Sequence, residues 1–348
     1  MKRTGWVFCL FAALVLPGVV KAQTTLRYTD HEPYGNMRTH IIKNTFFDAI
    51  EHESQGRIKI DAHWNGEISS SYNALETLSQ GERADIGIVV PEYNPEQLPR
   101  HQLFKSFPLG PDSGNAQVQF FHRVFSEYPQ FAAELDNNNL VMLQFFLGYP
   151  AAFFTTRSGV GPAQLTGTRW RTASFWHQSF LRNAGATPVT LPWNSKIVDA
   201  LQKGQLDGLL VNVDSGDDIG APRSAPYIQL SPALWLGHVY LLVVNKQTWN
   251  ALSPQDRAAI QRAAASTEHA LGSWLDTSLN RMAKQLEQQG AHVHFLSRKE
   301  CNQWRDATRY QQVQARWIEQ QESKGVTDAG RLLQSVSTLL SDSIEENQ

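Results

Sequence analysis

The sequence predicts an α/β protein of two similar lobes spanned by one long helix. Three observations carry this. Helical and strand patterns alternate from Thr25 to Val90, the signature of helices packed on a sheet. A second series of the same kind begins near Pro150. A helical pattern then runs from Pro254 to Gln289, about 36 residues or ~54 Å at 1.5 Å per residue, too long for one compact lobe.

Thr25 to Tyr28 reads as the opening strand. From His40 to Glu53, Ile42, Phe46, Ala49 and Ile50 share one helical face, and Gly56 suits the stop. Ile58, Ile60, Ala62 and Trp64 alternate along Arg57 to Trp64, a half-buried strand. Ser71 to Ser79 is helical, closed by Gly81. Ala84 to Val90 is an unbroken apolar run of the kind found in buried parallel strands.

In the second series, Ala151 to Thr156 and Thr168 to Thr172 are strands. Ser174 to Ala184 is a helix stopped by Gly185. Lys196 to Lys203 is a helix stopped by Gly204, with a strand from Leu206 to Val213. The two halves echo one another. Ala74-Leu75 leads to Gly81 and Asp85-Ile86-Gly87, and Ala200-Leu201 leads to Gly204 and Asp207-Gly208. His238 to Asn245 is a further strand. Ser253, Pro254 and Asp256 make a strong start for the long helix: cap, first-turn proline and an acid at the positive end of the dipole. The alternative is two helices broken near Gly272. His292 to Leu296 is a short strand, and Ser297 to Glu300 is a capping box.

The first 22 residues have the pattern of an export signal. Lys2 and Arg3 precede an apolar run from Trp6 to Val20, and Val20-Lys21-Ala22 offers small residues for cleavage after Ala22. The alternative is an N-terminal anchor, although the run is short for a membrane span of ~20 residues. Loss of Lys2, Arg3 and Lys21 would take the 31 basic residues to 28 against 33 acidic, a net charge of −5. With Cys9 also lost, Cys301 would stand alone, so no internal disulfide is expected and Cys301 reads as an ordinary helix residue. No basic tract exists to favour nucleic acid as a partner.

Enzyme and cofactor signatures are missing: the chain has no G-x-S-x-G elbow, H-E-x-x-H helix, P-loop or G-x-G-x-x-G turn. Neither a cofactor nor a metal is expected. Asp214, Asp217 and Asp218 beside Gly216 have oxygen ligands to offer a cation, but a capped turn after a strand explains them as well. Arg171 is the cation of interest. It lies two residues after Arg169 on a predicted strand, and an Arg at a strand end is a natural receptor for a carboxylate, through two parallel charge-assisted hydrogen bonds. Trp64, Trp170, Trp176, Trp193 and Trp235 fall near predicted strand ends with polar neighbours; apolar walls with a few placed polar groups are how pockets are made, and core packing competes for each.

The ordered motifs resemble the DctP-type binding proteins of TRAP (tripartite ATP-independent periplasmic) transporters over nearly all the chain beyond residue 22. Leu26 to His31, with Pro33 and His40, is similar to the family's opening strand and loop. Glu53-Ser54-Gln55-Gly56-Arg57-Ile58 matches its E-x-S-x-G-R-I segment. Leu165 to Arg171 resembles D-L-x-G-x-K-x-R, and Gly185 to Val189 and Ala200 to Gly208 match the family's next segment.

The resemblance implies a periplasmic solute-binding fold of type II-like form, two α/β lobes joined by crossing hinge strands and a long helix spanning both, in which a hinge closes the lobes on a small organic acid. It also implies delivery to the small and large permease subunits by a monomer. The expected lobes are 23–148 with about 239–270, and 149–238 with about 271–348. By position the resemblance makes Arg171 the carboxylate clamp, Trp193 a cleft aromatic, His31 a contact of the opening loop and Asn212 an amide donor. Glu92, Tyr93, Trp176, His177 and Asp214 are further lining residues on the same basis.

Departures bear on the ligand. Lys196-Ile197-Val198 replaces the usual Glu-Val-Tyr, Leu209-Leu210-Val211-Asn212 stands where Glu-Asn often comes after Asp-Gly, and Ala152 occupies the place of an Arg found in some members. A monocarboxylate with an apolar or aromatic body therefore suits the chain. Two other readings remain open: a module presenting a carboxylate to a sensor kinase, and a secreted hydrolase using Ser174 and His177, which could share a helix face but lack an evident orienting acid.

Overall fold

The computed structural model describes residues 23–191, 194–235 and 237–346. The proposed leader and Trp193 lie outside them. Eleven strands are described: β1 (Thr24–Thr29), β2 (Ile58–His63), β3 (Ile86–Val89), β4 (Leu140–Leu147), β5 (Ala151–Thr155), β6 (Arg169–Arg171), β7 (Thr187–Val189), β8 (Gly208–Asn212), β9 (Tyr227–Leu230), β10 (Val239–Asn245) and β11 (His292–Phe295). They form two sheets, ordered β2-β1-β3-β10-β4 and β11-β9-β5-β8-β6-β7.

Each sheet contains a parallel part fed by helical crossovers. β1 runs parallel to β2 and β3, and β6 runs parallel to β7 and β8. Each also contains a strand of opposite sense next to a crossing. β10 pairs antiparallel with β3 and β4, with Leu241 opposite Val89; β5 pairs antiparallel with β8 and β9, with Phe153 opposite Leu210. The chain crosses between lobes directly from β4 to β5 and again from β9 to β10. An antiparallel bridge between Leu109 and Leu234 ties a further segment to the crossing.

The unbroken apolar runs are the buried strands: every residue of β3, β5, β8 and β10 is buried. Strand alternation splits the second sheet between two cores. Ala151, Phe153 and Leu210 join the larger cluster, which also holds Trp170, Trp176 and Trp304. Ala152, Phe154, Leu209 and Val211 face a smaller cluster with Ile228 and Leu230.

The long helix is continuous, Pro254–Gln288. Ser253 Oγ accepts the Asp256 amide at 3.1 Å, as the sequence predicts. Ile260, Ala263, Leu271 and Leu275 pack into the larger core and Leu279 and Leu286 into the smaller, so one helix serves both lobes. Gly272 does not break it. There, helix Gly114–Glu127 crosses so closely that a Cβ on Gly272 would lie 2.6 Å from Asn115 Cα, and one on Gly114 would lie 2.2 Å from the Gly272 carbonyl. Helical from 37 to 53, the first crossover includes a π-type stretch, Ile42–Phe47.

The C-terminal helices divide between lobes. Arg298–Thr308 packs on helix Phe175–Asn183 of the second lobe, Tyr310–Ser323 touches that helix as well as Arg100–Ser106 of the first lobe and the last helix, and Ala329–Glu345 packs on Gly114–Glu127 of the first. The last helix thus departs from the expected second-lobe segment, because its apolar face of Leu332, Leu333, Val336 and Leu340 is covered by returning across the molecule. The Ser297 capping box is formed and Cys301 is a buried helix residue.

Candidate functional site

In an open α/β sheet, strand ends and the loops after them present side chains to ligands. Four such ends come together here: those of β1 and β3 from the first sheet, β6 and β8 from the second. Arg171 is the last residue of β6. Its side chain is buried, and Nε and Nη2 donate to the Leu191 carbonyl at 3.2 and 3.1 Å. Burial pulls its pKa down, and the phenols of Tyr93 and Tyr72 from the other lobe oppose that shift. Tyr93, just beyond β3, lies with its ring 4.7 Å from that of exposed Tyr72. Arg169 has a different job: it is exposed and clasps Asp207 at 3.1 Å and the Gly204 carbonyl at 2.6 Å.

Behind Tyr93 the wall is polar and buried. The Lys105 ammonium contacts the Glu92 carboxylate and donates to His238 Nδ1 at 3.1 Å. Burial pulls Lys105 down to about 7, while the Glu92 carboxylate favours its charged form. Burial, with Lys105 adding repulsion, takes His177 down to about 3 and pushes His238 well below its ordinary value. Both imidazoles are therefore neutral at physiological pH. Trp176 is spent on packing: it is fully buried and its indole N–H donates to the Gln102 carbonyl at 3.0 Å, a bond between lobes.

The loop after β1 carries a charge cluster that sequence reasoning missed apart from His31. Arg38 is buried between two acids. It is bidentate to Asp30 at 2.7 and 3.0 Å, reaches Glu32 at 2.7 Å, and lies 4.3 Å over the Tyr240 ring. Tyr28 donates to Asp30 at 2.6 Å, and Tyr240 and Asn36 donate to Glu32 at 3.3 and 2.5 Å. His31 lies 3.6 Å from Asp30 and 3.7 Å from Glu32, yet burial holds its pKa down. The sequence signal was available: Asp30, Glu32 and Arg38 flank a strand end within nine residues.

Across from Glu32, Asn212 closes β8 and begins the short helix Val213–Asp218. Asn212 Nδ2 donates to the Tyr149 carbonyl at 2.8 Å, bracing the crossing. Asp214 accepts the Ser215 amide at 2.8 Å. Burial pushes its pKa up to about 7, with Glu32 and Asp218 adding repulsion. Among the described residues no lysine or arginine forms an ion pair with Asp214, and no group of three metal-ligating side chains occurs.

A cavity of about 770 Å³ lies elsewhere, behind the crossing segments, lined by Leu109, Pro232, Arg298, Cys301, Arg305 and Ser341 among others. None of the residues singled out as ligand contacts in the sequence lines it. That space is roomy, but the buried charges lie instead at the opposed strand ends.

Two lobes that cross on strands, share a long helix and present buried charges to one another have the architecture of a two-lobed solute-binding protein. The chain belongs to the bacterial extracellular solute-binding proteins, family 7 (DctP), which it matches over residues 34–320. It is 24% identical over 275 residues to the C4-dicarboxylate-binding protein DctB of Bacillus subtilis (strain 168), covering 75% of this chain and 73% of that protein. Among solved structures it resembles a TRAP periplasmic solute-binding protein from Desulfovibrio salexigens DSM2638, with a TM-score of 0.78, 21% identity, and 91% and 96% of the two chains covered. A TRAP solute-binding protein from Rhodoferax ferrireducens T118, in complex with copurified benzoate, gives a TM-score of 0.77 at 21% identity, over 94% and 100% of the chains.

Proposed function

We propose that the protein captures a small organic acid between its lobes, with Arg171 clamping the carboxylate, and delivers it to TRAP permease subunits in the membrane. The observation that carries this reading is the buried guanidinium of Arg171 at a strand end, opposite Tyr93 and Tyr72 of the other lobe. A planar guanidinium fixes both position and orientation of a carboxylate, and burial strengthens each bond by excluding water. The benzoate complex of one similar structure and the dicarboxylate specificity named for one relative agree on an acid, though not on its body. His31, Asn212, Glu92, Tyr93, His177 and Asp214 line or brace the site, and Trp193 belongs to it by position.

Delivery to a permease implies an exported monomer cleaved after Ala22, which N-terminal sequencing of the mature protein checks. The clamp is tested by thermal shift against a panel of organic acids for wild type and Arg171→Ala. A ligand at 100 times its dissociation constant stabilises by about 2.7 kcal/mol. The expected outcome is an acid that raises the melting temperature of wild type and not of the variant. An equal rise in both removes Arg171 from the site.

A further inference from the structure

We infer that the space behind the crossing is a second binding site, for an amphipathic acid whose carboxylate meets Arg298 and Arg305 and whose apolar chain lies on Leu340 and Ile344. It is separate from the Arg171 site and does not depend on that reading.

The cavity of about 770 Å³ has the size of a site for a small organic ligand. Its floor is the crossing itself. The Gly110 amide donates to the Ala233 carbonyl at 3.0 Å and the Trp235 amide to the Pro108 carbonyl at 3.3 Å, and Pro108, Gly110 and Ala233 all line the space. One wall is helix Arg298–Thr308, packed on the second lobe; the other is Ala329–Glu345, packed on the first.

Each wall presents one helical face. Arg298, Cys301, Asn302 and Arg305 lie along the first, and Ser337, Leu340, Ser341 and Ile344 repeat the same spacing on the second. Seven residues of helix span ~10 Å, so the two faces match in length.

The walls differ in chemistry. The first carries two guanidiniums and the Asn302 amide. Arg305 is paired with its exposed neighbour Asp306 at 2.9 Å, a contact easily exchanged for another anion. Among the described residues Arg298 has no ion pair. The second wall carries Leu340 and Ile344 with serine hydroxyls between them, and Glu345 at its end. Glu345 and Asp112 are the acids of the lining, and among the described residues neither pairs with Arg298 or Arg305. An anionic head is therefore drawn to the first wall and turned away from the second, while Phe107, Pro232 and Leu296 add apolar surface for the chain. Guanidiniums hold a carboxylate by charge-assisted bonds, and each methylene taken from water tightens binding by up to about fourfold.

Calorimetric titration of the mature protein with octanoate, octanol and acetate tests this in wild type, the double variant Arg298→Gln/Arg305→Gln, Ser337→Trp and Arg171→Ala. Ser337 is half-buried on the second wall, so the larger ring fills the space and leaves the arginines in place. Circular dichroism checks that each variant is folded. Octanoate is expected to bind wild type and Arg171→Ala alike, and at least tenfold more weakly to the double variant and to Ser337→Trp. It should bind wild type at least tenfold tighter than octanol or acetate does.

The inference is overturned if octanoate does not bind wild type, if octanol or acetate binds as tightly, or if octanoate binding survives the change to either wall. Octanoate binding that is lost in Arg171→Ala and kept in the wall variants puts the acid in the Arg171 site, which overturns the second site and leaves the clamp standing. Octanoate binding that is kept in Arg171→Ala and lost in the wall variants establishes the second site, whatever the clamp's own test returns.

Discussion

Asp214 shows how burial acts on one side chain. An aspartate in the unfolded chain titrates near 3.9, and in the folded protein burial and Glu32 raise it to about 7. Between those values the native state holds a proton that the unfolded state has lost. By linkage, Asp214's contribution to stability is complete below pH ~4 and is lost as pH rises to about 7. The loss should be on the order of 2 kcal/mol, since the group is partly open to solvent. Asp218, whose pKa is also raised, and His31, whose pKa is lowered, face the same space and add their own pH dependence. Both are present in Asp214→Asn, so the difference between variant and wild type isolates Asp214. Urea unfolding of the ligand-free protein at pH 4 to 8 is expected to show wild type weakening relative to Asp214→Asn across the window. Parallel curves would mean that Asp214 is not strained by its surroundings. Its loss of stability is the kind of local cost that binding sites carry until a ligand offsets it.

Elements repeat this logic in pairs. Arg27 begins the first lobe by clasping Asp85 at 2.8 Å and the carbonyls of Gly81 and Glu82; Arg169 does the same in the second lobe with Asp207 and the Gly204 carbonyl. In both, the backbone amide of the Arg also donates to the Asp carboxylate. The echo of Gly81 and Asp85 in Gly204 and Asp207 is therefore a shared device that locks a helix stop to two neighbouring strands. The helix crossing is a second case. Gly272 lies mid-helix, where propensity alone favours Ala by up to about 1 kcal/mol. Packing reverses the sign: a Cβ there meets Asn115 backbone and side chain at 2.1 to 2.7 Å. Gly272→Ala is expected to lower the urea midpoint, by about 1–3 kcal/mol of stability, and a raised midpoint would show that the two helices can part cheaply.

At the scale of the molecule, the two direct crossings, β4 to β5 and β9 to β10, are the places where bending can occur with both sheets intact. If the proposed acid is held from both lobes, its binding draws the two sheets together. Small-angle scattering should therefore report a smaller radius of gyration with a saturating ligand than without it. An unchanged radius would place the ligand in a rigid protein and remove hinge closure from the mechanism. The Trp176 bond to Gln102 and the Gln314 bond to Ser106 Oγ at 2.9 Å connect side chains and backbone near the crossing, where a bend separates them least.

Much was legible from the chain alone because it is local. Buried strands announce themselves as apolar runs, caps as Ser253 and Ser297, and stops as Gly81 and Gly204. Arg171 was legible as a cation at a strand end, and it does close β6. What the sequence could not show is which distant segments meet. Glu32 and Asp214 are 182 positions apart in the chain, and nothing near either one predicts that burial will set them against each other. At Gly272 a broken helix stayed open as the alternative, because the helix that needs its missing Cβ lies more than a hundred residues away. Trp176 looked like a cleft wall until the other lobe took its N–H. Periodicity and capping are properties of neighbours along the chain; burial, pairing and pKa depend on neighbours in space, and only the tertiary structure supplies those.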